Sequence, residues 1–365
     1  MPAELPAARP SDARLECPTV SVIVPARNEE ACLGACLRSL AAQAGVSFEI
    51  IVVDDGSSDR TRQIAASFSG VRVVDAEPLP EGWSGKNNAM AAGARAARGR
   101  WLLFSDADTV HLPGSLARSL MEAQQRGAEL LSYSPEQEVH GVWEKAVMAV
   151  IFAELAATYR PAEVNDPGSR AAAANGQYLL ISRQAYDAVG GYAAVAASLL
   201  EDVALARAVK ASGRRIYFRY GGDAVRTRMY RNFGQLREGW TKNLALLFSS
   251  PVRLAVLRSL EFGLIVGSVE AAALGFLYGK THTAIFATVV FLILCALFAG
   301  RIRKAHFASG ASALALLGLP IFSYLLIRSA LSHRRGRVSW KGRSYDGADK
   351  NVSSPRVAPG ARRTA

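Results

Sequence analysis

The hydrophobic positions of this chain change their period along its length. Between residues 20 and 104, short runs that are apolar on successive residues alternate with stretches of helical spacing. Val20 to Pro25, Phe48 to Val53, Val71 to Val74 and Trp101 to Phe104 read as strands. Strands without an in-out alternation are buried on both faces, as in a parallel sheet. Between them, a helix opens at Ala26 to Glu30 and carries Leu33, Leu37 and Leu40, and another runs from Lys86 to Ala97. Strands separated by helices of this length predict βαβ units. After Asp108 the order becomes α+β. Leu130 to Ser134, the run ending at Ile181, and Ile216 to Phe218 read as strands, and Trp143, Val147, Val150, Ile151 and Leu155 mark one helix face.

A third regime begins near residue 226. Phe233, Leu236, Trp240, Leu244 and Leu247 recur at helical spacing, flanked by Arg226, Arg228, Arg231, Arg237 and Lys242. That pattern predicts an amphipathic helix over 226–250 lying along a bilayer surface; packing on the folded domain would give the same spacing. Three apolar segments follow, at Leu254–Tyr278, Thr283–Gly300 and Ala311–Ile327. The first carries Arg258, Glu261 and Glu270, which lipid tolerates only when they are paired or face protein. The third contains Gly318 and Pro320. Three crossings would carry the tail outside against the positive-inside rule, so one segment is expected to dip rather than cross. The division is therefore a mobile tail over 1–18, a catalytic domain over 19–225, the interfacial helix over 226–250, membrane segments over 251–330 and a basic tail over 331–365.

Charge sharpens this picture. The 365 residues carry a net charge of +12, and residues 331–365 hold nine Lys+Arg against two Asp. A basic tail beside apolar segments points to an anionic membrane surface, and no aromatic-basic interleaving of an RNA-binding kind occurs, so nucleic acid is not an expected partner. The cysteines at 17, 32, 36 and 295 form neither a zinc set nor a disulfide framework, in keeping with a reducing compartment. No apolar leader precedes residue 20. A plasma or inner membrane protein with several spans and a cytoplasmic catalytic domain is the expectation.

The chemistry gathers at strand ends. Trp101 to Phe104 runs into Ser105-Asp106-Ala107-Asp108, and open α/β sheets bind ligands beyond the carboxyl ends of their strands. Asp106 and Asp108 together suit one hard divalent cation, Mg2+ or Mn2+; alone, the pair could equally open a turn. Asp54 and Asp55 end the Phe48 strand in the same way, with Gly56 to Asp59 as turn chemistry. Gly85-Lys86-Asn87 lacks the spacing of a phosphate-binding Walker loop, yet Lys86 at a helix start can meet a phosphate. Glu201 and Asp202 stand where a helix begins, either as a catalytic pair or as charges favoured by the helix dipole.

Val22 to Glu30, Asp54 to Asp59, Asp106-Ala107-Asp108 and Glu201-Asp202, in this order, resemble the motifs of family 2 glycosyltransferases with a GT-A fold. The resemblance spans Val20 to Phe248. Gly82 to Lys86, the Trp143-Glu144 helix and Trp340 to Tyr345 are similar to its membrane-bound branch, with carotenoid-acid and hopanoid-associated glycosyltransferases and, more distantly, ceramide glucosyltransferases. It implies a Rossmann-like mixed sheet with helices on both faces, followed by membrane helices. It further implies inverting transfer from a nucleotide sugar, a UDP-sugar, to a lipid-linked or polyprenyl-type acceptor at the bilayer. Pro25, Glu29, Asp54, Asp55, Lys86 and Asp106 would meet the donor, Asp106 and Asp108 the metal, and Asp202 would be the general base with Glu201 as its substitute. Gln235 to Trp240 departs from the branch's Gln/Arg-x-x-Arg-Trp pattern; Gln177, Arg237 and Trp240 fall to the acceptor or diphosphate side. Competing readings are a non-catalytic membrane scaffold of the same fold, a processive polysaccharide synthase and a nucleotidyltransferase.

Overall fold

The computed structural model describes residues 17–307, 309–340 and 342–345, so the N-terminal tail up to residue 16 and the basic tail beyond 345 lie outside the described residues. The first half alternates: β1 (Val20–Ala26), α1 (Leu33–Ala41), β2 (Phe48–Asp54), α2 (Thr61–Ala66), β3 (Val71–Asp75), α3 (Gly85–Ala96) and β4 (Trp101–Phe104). The middle mixes: β5 (Thr109–His111), α4 (Ser115–Arg126), β6 (Leu130–Ser134), β7 (Glu136–Gln137), α5 (Val142–Thr158), α6 (Pro161–Asn165), β8 (Leu179–Ser182), α7 (Arg183–Ala188), α8 (Glu201–Ala211), β9 (Ile216–Tyr220) and β10 (Val225–Thr227). The end is helical until a last hairpin: α9 (Phe233–Leu247), α10 (Pro251–Leu277), α11 (Thr281–Ile302), α12 (Ser309–Arg334), β11 (Ser339–Trp340) and β12 (Arg343–Ser344).

Seven strands form one mixed sheet in the order β3-β2-β1-β4-β8-β6-β9. β3, β2, β1 and β4 run parallel, and β8 is antiparallel to both β4 and β6. Ile23, Ile51 and Phe104 pack with α3, α7 and α8 on one face; Val22, Val24, Val52 and Leu103 pack with α1 and α4 on the other. Burial on both faces is why these strands lack polar alternation. The expected Rossmann-like mixed sheet with helices on both faces is present. Because β8 runs against β4, the turn before β8 reaches the same sheet edge as the ends of β1, β2 and β4. Thus Asp55, Asp106 and Gln177 converge there although they are far apart in sequence.

Two local expectations are corrected. Ala26 belongs to β1 rather than to a helix, and α1 starts only at Leu33. Asn28 takes a left-handed φ of 54° and its side chain receives the Ser58 N–H at 2.9 Å, while the Glu29 N–H donates to Thr61 Oγ1 at 2.7 Å. The intervening residues are thus spent on bracing the loop after β2. The amphipathic stretch is also shorter than 226–250, since Arg226 lies in β10 and α9 spans Phe233–Leu247. The apolar stripe of α9, Leu236, Trp240 and Leu244, is buried in a cluster with α5 and α12, so it faces protein rather than lipid.

Among the described residues, three helices are long and apolar enough to cross a membrane: Pro251–Leu277, Thr281–Ala305 and Leu314–Arg334. Their burial differs, with 17% of the apolar window covered in each of the first two and 50% in the third. The third is wedged against α5 and α9. Gly318 makes this possible: a Cβ there would stand 2.1 Å from the Ala146 carbonyl oxygen of α5. Arg258 and Glu261 do find partners. Arg258 meets Glu154 of α5 at 2.9 Å and Glu261 at 2.9 Å, and Arg301 of α11 reaches Glu261 at 2.7 Å and Glu154 at 3.3 Å. Two cations facing two carboxylates cancel, which is the condition for keeping charge among apolar helices. Glu270 is exposed on α10.

Candidate active site

A cavity of about 950 Å³ opens at the carboxyl edge of the parallel strands. Pro25, Glu29, Asp55, Lys86, Asp106, Asp108, Gln177, Glu201, Asp202 and Trp240 line it. Two of the expected residues stand elsewhere. Asp54 is buried and turned into its own loop, accepting the Ser57 N–H at 3.1 Å and facing Arg62 at 3.6 Å. Arg237 is exposed on α9 while Glu238, Gly239 and Trp240 of the same turn line the cavity. A helix places neighbouring residues about 100° apart, so Arg237 and Trp240 share a side only approximately. Burial of the Trp240 stripe turns the arginine outward.

At the centre, Lys86 Nζ bridges Asp106 Oδ1 at 2.7 Å and Glu201 Oε1 at 2.8 Å. Lys86 arrives here because Ser84 caps α3, its hydroxyl accepting the Asn87 N–H at 3.1 Å. Asn87 then ties this cap to the loop before α8, donating to the Val195, Ala196 and Ser198 carbonyls at 2.9 to 3.0 Å. Burial works against the charge on Lys86, but the Asp106 and Glu201 carboxylates outweigh it and hold its pKa well above the usual lysine value.

Asp202 lies beside this triad without joining it. Its carboxylate accepts the Gly176 N–H at 2.8 Å and the Val203 N–H at 2.7 Å. Burial, then the neighbouring Glu201 charge, raise its pKa from 3.8 to about 6, against the pull of Lys86 and the two N–H groups. A carboxylate tuned upward toward neutrality is suited to take a proton. Glu201, by contrast, is committed to Lys86.

The far wall carries side chains to which the sequence reading gave no part in the site. Arg228 is held by Glu144 of α5 at 3.2 Å, which gives the acidic residue of the Trp143-Glu144 motif its partner. Lys242 extends from α9, its pKa lowered by burial, with its Nζ 5.5 Å from the centre of the Trp340 ring. His306, between α11 and α12, stacks on Tyr220 at 4.2 Å. Trp340, Arg343 and Tyr345 of the C-terminal hairpin also line the cavity. The sequence signal was the Trp340 to Tyr345 motif itself; nothing in its spacing said where it folds.

Asp106 and Asp108 are the carboxylates at the end of β4, and among the described residues no group of three His, Cys, Asp or Glu side chains could hold a metal by itself. Two carboxylates fit a hard cation that completes its shell with substrate oxygens.

Residues 21–190 match the family model described as glycosyl transferase family 2. The chain is 29% identical over 338 residues, covering 89% of it and 88% of the relative, to 4,4'-diaponeurosporenoate glycosyltransferase of Staphylococcus aureus strain MRSA252. It is similarly 29% identical over 339 residues to that of strain bovine RF122 / ET3-1. A solved structure of mannosyltransferase PcManGT from Pyrobaculum calidifontis with GDP-Man and Mn2+ superposes with a TM-score of 0.48, at 17% identity and 86% coverage of both chains. Over residues 21–190 the chain is thus similar to family 2 glycosyltransferases. The relatives it matches over most of their length are named for a carotenoid-acid glycosyltransferase.

Proposed function

We propose that the chain transfers a sugar from a nucleotide-sugar donor, a UDP-sugar, to an amphiphilic acceptor of the carotenoid-acid or polyprenyl type, inverting the anomeric centre. One observation carries this reading. The cavity that gathers Asp55, Lys86, Asp106, Asp108 and Asp202 extends without a break to Lys304, Ala305 and His306 beside the apolar helices. A donor at the sheet edge and an acceptor head group entering along those helices would meet inside one space.

Pro25, Glu29 and Asp55 form the nucleotide wall. Asp106 and Asp108 would hold Mg2+ or Mn2+, whose charge, when bound, favours departure of the nucleoside diphosphate. Lys86 supplies a fixed positive charge at the same spot. Asp202 takes the proton of an acceptor hydroxyl as that oxygen attacks the anomeric carbon. The new C–O bond forms on the face opposite the breaking bond to the diphosphate oxygen, which inverts the centre. A carboxyl acceptor is ionised already and needs less from Asp202. The three apolar helices hold the domain at the bilayer. The cysteines at 17, 32, 36 and 295, whose spacing suits neither a zinc set nor a disulfide framework, favour the cytoplasmic face of the plasma or inner membrane.

Two measurements test this. Detergent-solubilised protein given UDP-sugars should release UDP, and lipids from cells with the protein should contain a hexose-bearing species absent from cells without it. Release of pyrophosphate instead would indicate a nucleotidyltransferase. Absence of both donor turnover and any lipid difference would favour a non-catalytic scaffold.

A further inference from the structure

The C-terminal hairpin reaches back across the whole chain to the nucleotide wall. Arg343 Nη1 and Nη2 donate to the two oxygens of Asp55 at 2.5 and 2.9 Å, across 288 residues of sequence. The guanidinium lies against the first residue of α3, Gly85, where a Cβ would stand 1.6 Å from Arg343 Nη1. The glycine therefore leaves the space the guanidinium fills. In the hairpin register Trp340 faces Arg343, and residues directly opposite in an antiparallel pair project from the same face. Both accordingly turn into the cavity, Trp340 toward Lys242 and Arg343 toward Asp55. The Tyr345 N–H closes the hairpin on the Val338 carbonyl at 2.8 Å, and the hairpin follows α12 through a turn in which the Arg337 N–H donates to the Ser332 carbonyl at 2.9 Å.

Charge at this wall narrows what Arg343 does. Lys86 is already shared between two carboxylates at 2.7 and 2.8 Å. Arg343 faces one carboxylate, and a guanidinium has N–H donors beyond the two that Asp55 accepts. A planar fork of this kind matches the oxygens of a phosphate as well as those of a carboxylate.

We propose that Arg343 is a donor-binding residue: held in place by Asp55, it binds the diphosphate of the nucleotide sugar, so that the segment beyond the third apolar helix completes the donor site. This rests on the glycosyltransferase reading above. It makes Asp55 a positioning residue for Arg343, and it gives the Trp340 to Tyr345 motif and Gly85 a shared purpose.

The test compares a nucleoside diphosphate with the bare nucleoside. Full-length protein in detergent is titrated with UDP, GDP and uridine in the presence of Mn2+, by calorimetry. Arg343→Gln should weaken UDP about ten- to hundredfold, the usual worth of a charge-assisted contact, and leave uridine within about twofold. Arg343→Lys should recover part of the loss, and Gly85→Ala, which crowds the guanidinium without altering its charge, should fall between wild type and Arg343→Gln. In turnover, the donor KM should rise more than kcat falls. Equal affinity of Arg343→Gln and wild type for UDP would overturn the proposal, and so would tighter UDP binding, which would make Arg343 a competitor of the donor. Equal loss of UDP and uridine with a lowered melting temperature would reduce Arg343 to a structural role. Wild-type protein that binds no nucleoside diphosphate at all would overturn the glycosyltransferase reading and this proposal with it.

Discussion

Asp202→Asn should move catalysis and stability in opposite directions. In the wild-type protein, burial and the Glu201 charge raise the Asp202 pKa from 3.8 to about 6. Its ionised form is therefore a burden on the fold at neutral pH. Taken in full, that displacement is worth about 3 kcal/mol, and roughly half as much once the partial exposure of the carboxyl is allowed for. Asparagine removes the burden but sets an amide NH2 against one of the two N–H groups, of Gly176 and Val203, that the carboxylate accepts. Losing one such bond returns about 1 kcal/mol. The variant should thus be about 0.5–2 kcal/mol more stable than wild type above pH ~7. The sign follows from proton uptake. The folded state binds more protons than the unfolded state between about pH 4 and 6, so this group favours folding below about 4 and loses that contribution as pH rises through about 6. The asparagine variant lacks this dependence, and its advantage should vanish in acid. Turnover on a hydroxyl acceptor should meanwhile fall by roughly 10²–10⁴-fold, with donor affinity little changed. The wild-type acid limb near pH 6 should disappear along with it. Nucleoside diphosphate release and melting curves at about pH 5 and 8 measure both effects. Full turnover by Asp202→Asn, with Glu201→Gln inactive, would refute the reasoning and move the base to Glu201.

Three further outcomes are expected. Asp106→Ala or Asp108→Ala should abolish most transfer, as should chelation of wild type; full activity in chelator without divalent ions would end the metal assignment. Gly318→Leu places a side chain where a Cβ already stands 2.1 Å from the Ala146 carbonyl, and because backbone cannot yield, it should lower stability by about 3 kcal/mol in detergent melting; an unchanged melting temperature would mean that α12 does not sit this close to α5. Glu154→Gln leaves Arg258 and Arg301 with Glu261 alone and should cost about 3 kcal/mol, part of which Arg301→Gln in the same chain restores. Additivity of those two substitutions would show that the network is not coupled.

Much of this molecule was legible in one dimension. Apolar runs without alternation announced β1, β2 and β4, because a strand covered on both faces has no polar side to display. Since ligands gather beyond the carboxyl ends of such strands, Asp106 and Asp108 were candidates from their position, although the pair alone could equally open a turn. Glu201 and Asp202 at the start of α8 read locally just as well as charges favoured by the helix dipole, and only the ordered motifs together suggested a catalytic pair. What the tertiary structure decided were contacts between residues that no period connects. Asp54 and Asp55 are adjacent and chemically identical; only the packing of the loop after β2 turns one toward Ser57 and the other toward the cavity. The stripe of α9 looked fit for lipid because a helix face records that it is apolar, not what covers it, and α5 and α12 cover it. Arg258 and Glu261 looked costly because Glu154 and Arg301, their partners, lie 104 and 40 residues away. Arg343 and Asp55, 288 residues apart, are the extreme case: a charge pair that far along the chain leaves no periodic trace, and only the fold brings its two ends together.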